Sequence, residues 1–170
     1  MTKPLMSLTA ADLMSRDLVL IPKDMSLQGA ARMLSRGRVS GAPVVDETGQ
    51  CIGVLSTTDF LRWVEDGKAR HKANDAYCPS WQINGKESAV AETVARFMTT
   101  DPVVVIGSAD IARLSQVMID ARIHRVIVID CNNRPIGIVS STDVLAAVAR
   151  AGQSRDDAVA DTVHDPVACR

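Results

Sequence analysis

The sequence predicts a mixed α/β (α+β) fold made of two β-α-β-β-α repeats. The chain of 170 residues matches itself at an offset of 84, so that residues 9–64 align with 93–148 without a gap. Within each copy, continuous apolar runs alternate with segments of helical spacing, which is typical of strands covered by helices. The composition, 46% hydrophobic and 23% charged, is that of globular proteins that bury a core.

The match between the copies includes identical residues as well as conservative exchanges. Identical positions include Thr9, Met14, Asp17, Val19, Arg38, Asp46, Gly53, Ser56, Thr58, Asp59 and Leu61, which meet Thr93, Met98, Asp101, Val103, Arg122, Asp130, Gly137, Ser140, Thr142, Asp143 and Leu145. One copy is small for an independent core, so we expect the two to pair. The predicted division is a first unit over 1–64, an insert over 65–90, a second unit over 91–150 and a mobile tail over 151–170.

Each repeat is predicted to open with a short helical turn and a strand. The turn ends at Met14 in the first copy and at Met98 in the second. The apolar runs that follow, 18–21 and 103–106, are rich in the β-branched residues that favour strands.

A helix of about a dozen residues follows, with a side chain that accepts from a free backbone N–H at its start. This N-cap is Ser26 in the first copy and Asp110 in the second. The apolar positions at helical spacing are Leu27, Ala30, Ala31 and Leu34 in the first helix and Ile111, Leu114, Val117 and Met118 in the second.

Two buried strands and a last helix are predicted to complete each repeat. The strands are joined by turn-forming residues at 47–50 and 131–134. The last helix starts at the Thr-Thr-Asp or Ser-Thr-Asp segment and carries Leu61, Trp63 and Val64, or Leu145 and Val148.

An octapeptide shared by both repeats, GVLSTTDF at 53–60 and GIVSSTDV at 137–144, joins the last strand to the last helix. Its Gly lies where a side chain would obstruct a neighbour. Its Ser stands at a helix N-terminus, which favours an anion such as phosphate, and its Asp follows on the same face, where a carboxylate can accept from a diol. The same pattern is also a helix-capping device. The residues alone leave both interpretations open.

The paired β-α-β-β-α units, the apolar runs ending in Asp46 or Asp130, and the two Gly-x-x-Ser-x-x-Asp motifs resemble a tandem of cystathionine-β-synthase (CBS) domains, a Bateman module. The resemblance implies two repeats packed as a pseudo-two-fold pair. It also implies an adenine nucleotide or related adenosyl ligand in clefts between the repeats, with Ser or Thr contacting phosphate and Asp the ribose hydroxyls. The residues to which this applies are Ser56, Thr58 and Asp59, and Ser140, Thr142 and Asp143.

The resemblance implies further ligand contacts. Basic residues before the middle strand would face the phosphates. Each copy has an arginine there, Arg38 in the first and Arg122 in the second. Only the second copy adds His124 and Arg125, where the first has Ser40 and Gly41. We therefore expect unequal sites; without the resemblance, a solvated strand edge explains these residues equally well. The adenine base would pack near the first and middle strands, against Val19, Ile21, Ala42, Val103, Val105 and Val126.

Composition argues against several other classes of function. A net charge of -1 gives no general attraction to nucleic acid or to an anionic membrane. No segment approaches the ~20 apolar residues of a membrane span, and the N-terminus is polar too early for a signal peptide, so we expect a cytoplasmic protein. The spacing of the four cysteines and three histidines matches no metal-ligand set.

Two function hypotheses remain. One is a regulatory module that senses AMP, ADP, ATP or a related adenosyl ligand and requires no cofactor. The other is a dimerisation and partner-docking module with empty clefts. We expect no enzyme, because the residues form no complete catalytic site. The resemblance implies a homodimer, and a separate regulated protein would be the partner. The insert is predicted to cover the module through Trp81 or to dock a partner or cover a ligand.

Overall fold

The computed structural model describes residues 3–74 and 92–162, which form two compact units. We name each unit after the repeat that supplies most of its sheet. The first-repeat unit comprises Leu18–Pro102 with Asn132–Pro135, and the second-repeat unit comprises Met1–Asp17, Val103–Cys131 and Ile136–Arg170.

The first-repeat unit has a sheet of four strands in the order β1-β2-β3-β4. Strand β1 pairs parallel to β2, β2 antiparallel to β3, and β3 antiparallel to β4. The elements are β1 (Ile21–Pro22), α2 (Leu27–Gly37), β2 (Gly41–Val45), β3 (Cys51–Ser56), α3 (Thr57–Asn74), α4 (Val94–Phe97) and β4 (Thr99–Thr100).

The second-repeat unit has a sheet of three strands in the order β5-β6-β7, with β5 parallel to β6. A 3-10 turn at Leu5–Ser7 precedes its first helix. The elements are α1 (Ala10–Leu13), β5 (Val104–Ile106), α5 (Ile111–Asp120), β6 (Arg125–Ile129), β7 (Pro135–Ser140) and α6 (Ser141–Thr162).

The short opening helices are exchanged between the repeats. In the second-repeat unit, Ala10 N donates to Ala109 O at 2.7 Å and Ile111 N to Leu8 O at 3.0 Å. The first-repeat unit repeats this pattern at the matched positions, where Val94 N donates to Met25 O. The compact units therefore divide the chain differently from the sequence repeats, because the opening helix of each repeat belongs to the unit of the other.

The octapeptide glycines make room for the exchanged segments. A Cβ on Gly137 would lie 2.7 Å from Met14 Cγ, and a Cβ on Gly53 would lie 2.8 Å from both Met98 Sδ and Thr99 O. These separations are shorter than van der Waals contact, so a side chain here obstructs a neighbour, as the sequence predicted. The neighbour is the methionine that ends the opening helix of the other repeat.

The predicted N-caps are confirmed and place the helices over two cores. Ser26 Oγ accepts from Gly29 N at 3.1 Å, and Asp110 Oδ1 accepts from Arg113 N at 2.7 Å. The first core consists of Ile21, Leu27, Ala30, Leu34, Ala42, Val44, Leu55 and Val94. The second consists of Ala10, Val105, Leu114, Met118, Val126, Val128 and Val139.

Several element boundaries differ from the predicted ones. The run 18–21 forms a strand only from Ile21; before it, Val19 lies beside Gly37 and Leu20 is exposed. Helix α3 continues to Asn74, so residues 65–74 of the predicted insert are helical. Helix α6 continues to Thr162, although no regular structure was predicted after 150. The remaining insert and tail positions, including Trp81, lie outside the described residues.

Candidate functional site

The Ser and Asp of the first octapeptide are joined by hydrogen bonds where β3 ends and α3 begins. Asp59 Oδ2 accepts from Ser56 N at 2.7 Å and from Ser56 Oγ at 2.8 Å. Asp59 Oδ1 accepts from Thr99 Oγ1 at 3.2 Å and from Arg62 Nη1 at 3.4 Å. The residue is only 1% exposed. A buried carboxylate with four donors is itself satisfied, and it accepts from the backbone N–H of Ser56, the residue that precedes the helix.

The Ser and Asp of the second octapeptide form the same cap, with fewer partners. Asp143 Oδ2 accepts from Ser140 N at 2.7 Å and from Ser140 Oγ at 2.6 Å, and Asp143 N donates to Ser140 Oγ at 3.3 Å. Asp143 is partly exposed. Its Oδ1 receives no hydrogen bond from the described part of the chain. This oxygen remains free to accept from a ligand.

The residues before each middle strand lie beside the same helix starts. Ser40 O accepts from Thr57 N at 3.0 Å, and His124 O accepts from Ser141 N at 2.9 Å. His124 and Arg125 are both exposed and belong to the unit that contains Asp143. The imidazole and guanidinium predicted for the second copy thus stand on chain segments adjoining the N-terminus of α6.

Two arginines at matched positions adopt an unusual backbone conformation. Arg38 ends α2 with φ 52°, and Arg122 follows α5 with φ 53°, both in the left-handed region. A residue other than Gly, Asn or Asp rarely adopts this conformation, because the Cβ of an L residue crowds the following carbonyl at a cost of roughly 1–2 kcal/mol. Both side chains are exposed. This backbone turns the chain from each helix into the middle strand.

Most of the side chains predicted to contact a base belong to the cores. Ile21 and Val126 are fully buried, and Ala42 and Val105 are nearly so. Their packing explains their apolar character without a ligand.

The two threonines predicted to contact phosphate, Thr58 and Thr142, lie in the first turns of α3 and α6 and are exposed. Val103 is 38% exposed and Val19 is partly buried, so these two retain accessible apolar surface.

Other kinds of site receive no support among residues 3–74 and 92–162. In the parts of these ranges whose side chains are described, 3–65 and 92–153, no three His, Cys, Asp or Glu side chains are grouped to hold a metal ion. No helix within them combines the length and apolarity of a membrane span. A groove of about 610 Å³ in the second-repeat unit is lined mainly by apolar residues of the N-terminal segment and α6, and contains none of the predicted site residues.

Sequence reasoning did not identify Arg62 and Thr99, which hold Asp59. Arg62 had a detectable signal, because a basic residue three positions after an acid lies on the same helix face and the second repeat has Ala146 there. Thr99 had none, since it lies 40 positions from Asp59 and reaches it only through the exchanged segment.

Sequence and structure comparisons agree on the kind of domain. The model of the CBS domain matches residues 10–66 and 94–150. The chloroplastic CBS domain-containing protein CBSX2 of Arabidopsis thaliana is 25% identical over 151 residues, which cover 82% of this chain and 63% of that protein. The chain thus spans less than two thirds of the length of this curated relative.

Solved structures with the same fold include two ligand complexes. CBSX2 in complex with AMP superposes with a TM-score of 0.64 at 24% identity, covering 84% of this chain and 96% of that one. The CBS domain pair of protein MJ0100 in complex with 5'-methylthioadenosine and S-adenosyl-L-methionine has a TM-score of 0.61 at 20% identity, covering 84% and 96%. With the family model matching most of its length, the chain belongs to the CBS domain family and carries two CBS domains.

Proposed function

We propose that this chain is a regulatory module that binds an adenine nucleotide or a related adenosyl ligand. The observation that carries the proposal is the start of α6, where Asp143 keeps one carboxylate oxygen open beside the basic segment 124–125. A carboxylate accepts from the two hydroxyls of a ribose, while a helix N-terminus and nearby cations favour phosphate. Exposed Val103 offers apolar surface for the base.

The chemistry of related complexes supports this ligand class. CBS pairs of the same fold hold AMP in one case, and 5'-methylthioadenosine with S-adenosyl-L-methionine in another. These molecules share an adenosine whose ribose diol suits an aspartate. AMP, ADP or ATP would add a phosphate for Ser140, Thr142, His124 and Arg125, whereas S-adenosyl-L-methionine has no phosphate and would offer these residues only the carboxylate of its methionine part.

A thermal-shift panel tests the proposal. The chain is heated with AMP, ADP, ATP, S-adenosyl-L-methionine or NADH, each at millimolar concentration. A ligand at 100 times its Kd stabilises the folded state by about 2.7 kcal/mol. For a chain of this length, we expect a rise in melting temperature of about 5–10 °C. If no adenosyl compound raises the melting temperature, the sensing function is wrong.

A matched pair of variants shows where the ligand binds. Asp143→Asn replaces the carboxylate that would accept from the ribose diol with a neutral amide. We therefore expect it to remove most of the rise in melting temperature that the ligand causes. Asp120→Asn makes the same chemical change on an exposed residue of α5 and should leave the shift intact. Equal shifts in wild type and Asp143→Asn would place the ligand elsewhere.

A second candidate function is dimerisation and partner docking, favoured by apolar residues at matched positions of the last helices. Leu61 is 64% and Val64 44% exposed on α3, and Leu145 is 67% and Val148 48% exposed on α6. The members of each pair stand three residues apart, on one helix face. Two such faces in one chain suit association with a second copy through helices, and we propose a homodimer.

Sedimentation equilibrium tests the dimer. We expect twice the chain mass of 18.2 kDa for wild type and the monomer mass for Leu61→Glu combined with Leu145→Glu, because charge in an apolar interface is costly. Ile106→Glu places the same charge on β5, where 58% of the residue is exposed, and should leave the dimer intact. A wild type of monomer mass would contradict the proposal.

We infer a regulatory role rather than catalysis. Cys51 is not an activated nucleophile, since burial raises the pKa of its thiol and thereby disfavours the thiolate. A module of this kind acts on a separate protein or on a further domain. Cytoplasmic location remains a prediction, and the Arabidopsis relative is chloroplastic by name. Docking or covering by the 75–90 part of the insert also remains a prediction.

A further inference from the structure

The two Ser-Asp caps, which match in sequence, differ in how much of the carboxylate is occupied. Asp59 has hydrogen-bond donors on both oxygens, whereas Asp143 has them on one. The first is 1% exposed and the second is partly exposed. The repeats share the cap itself, so the difference must come from residues outside the octapeptide.

Two substitutions between the repeats account for the difference. Arg62 lies on α3 one turn after Asp59, and its side chain is 64% exposed while its guanidinium contacts the carboxylate at 3.4 Å. The matched residue on α6 is Ala146, which has no donor. Thr99 donates to Asp59 from β4, while the matched Ser15 makes no side-chain hydrogen bond to Asp143 in the described structure.

The number of carboxylate oxygens that already accept hydrogen bonds decides which aspartate can accept from the diol of a ribose. A ligand reaching Asp59 would have to displace the Thr99 hydroxyl and the Arg62 guanidinium and expose a buried group. A ligand reaching Asp143 would use the oxygen that is already free, and the helix cap on the other oxygen would stay intact. Binding that leaves existing hydrogen bonds in place is favoured over binding that breaks them.

We propose that Arg62 and Thr99 are positioning residues that commit Asp59 to a structural role, so that each chain binds one adenosyl ligand, at Asp143. The inference rests on the proposed function and deepens it by fixing the number of sites and the residues that close the second one. It assigns unequal roles to two aspartates that are identical in sequence context.

Isothermal titration of the full chain with AMP tests the stoichiometry. We expect about one site per chain in wild type. Asp59→Asn should retain that site with a Kd within about threefold, and Asp143→Asn should weaken binding by at least about tenfold. Circular dichroism checks that each variant is folded. Two equal sites in wild type would overturn the proposal. So would a loss of AMP binding in the Asp59→Asn variant if circular dichroism shows that this variant is folded.

A variant that keeps Asp59 tests the positioning residues even if Asp59→Asn does not fold. Arg62→Ala combined with Thr99→Ala removes both donors from Asp59 Oδ1 and should let a second AMP bind, raising the stoichiometry towards two. A merely structural role would lower stability without adding a site, and an unchanged stoichiometry would overturn the role of the pair. If neither AMP nor any other adenosyl compound of the thermal-shift panel binds to wild type, the proposed function itself is refuted.

Discussion

Gly137→Ala is expected to destabilise the second-repeat unit by about 1–3 kcal/mol, the usual cost of overpacking a filled site. The added methyl would lie 2.8 Å from Met14 Cβ, an atom too close to the backbone to move aside easily. Urea unfolding followed by circular dichroism measures the change. As a control, Gly152→Ala in α6 meets no atom within 4 Å and should stabilise the helix by up to about 1 kcal/mol.

The exchange of opening helices predicts which second substitution relieves the strain. Gly137→Ala combined with Met14→Ala should cost less than the sum of the two single changes, by about 0.5–3 kcal/mol, because Met14→Ala removes the Cγ that would lie 2.7 Å from the added methyl and leaves only the Cβ contact. Gly137→Ala combined with Met98→Ala should be additive, since Met98 packs against Gly53 instead. Coupling of Gly137 to Met98 rather than to Met14 would show that the helices are not exchanged.

Leu55→Ala is expected to cost about 2–5 kcal/mol, as for other fully buried leucines. Leu55 lies on β3 and is fully buried in the first core, so its truncation to alanine leaves a cavity there. Ile119→Ala is the control, because this isoleucine is 69% exposed on α5, outside the proposed dimer faces, and should change the stability by less than about 0.5 kcal/mol. The same urea unfolding experiment compares them, and similar losses in both variants would contradict the assigned core.

Much of the fold could be predicted because the repeat supplies each pattern twice. The caps at Ser26 and Asp110 and the helical spacing after them were sufficient to place α2 and α5. The exchange of the opening helices could not be predicted, because Met14 and Met98 are identical and precede equivalent strands. A periodic pattern shows which face is buried, but not which of two equivalent surfaces covers it.

The candidate site was predicted in part. The Ser-Asp spacing identified both helix starts, and the structure shows the capping contacts that this spacing favours. Ligand contacts remain predictions for all the proposed residues. The difference between Asp59 and Asp143 escaped sequence reasoning because one of its causes, Thr99, reaches the carboxylate from the exchanged segment. The differing charges at 124–125 predict that the two sites are unequal, and for ligand binding this stays a prediction.

A titration of the nitrogen-15-labelled chain with AMP, followed by amide resonances, tests the central claim most directly. The account predicts progressive shifts at the amides of Ser140, Ser141 and Asp143, where the ligand would meet the start of α6. It predicts little change at Ser56 and Asp59, which already form a closed cap. Absence of shifts both with AMP and with S-adenosyl-L-methionine, or shifts confined to residues remote from the start of α6, would contradict it.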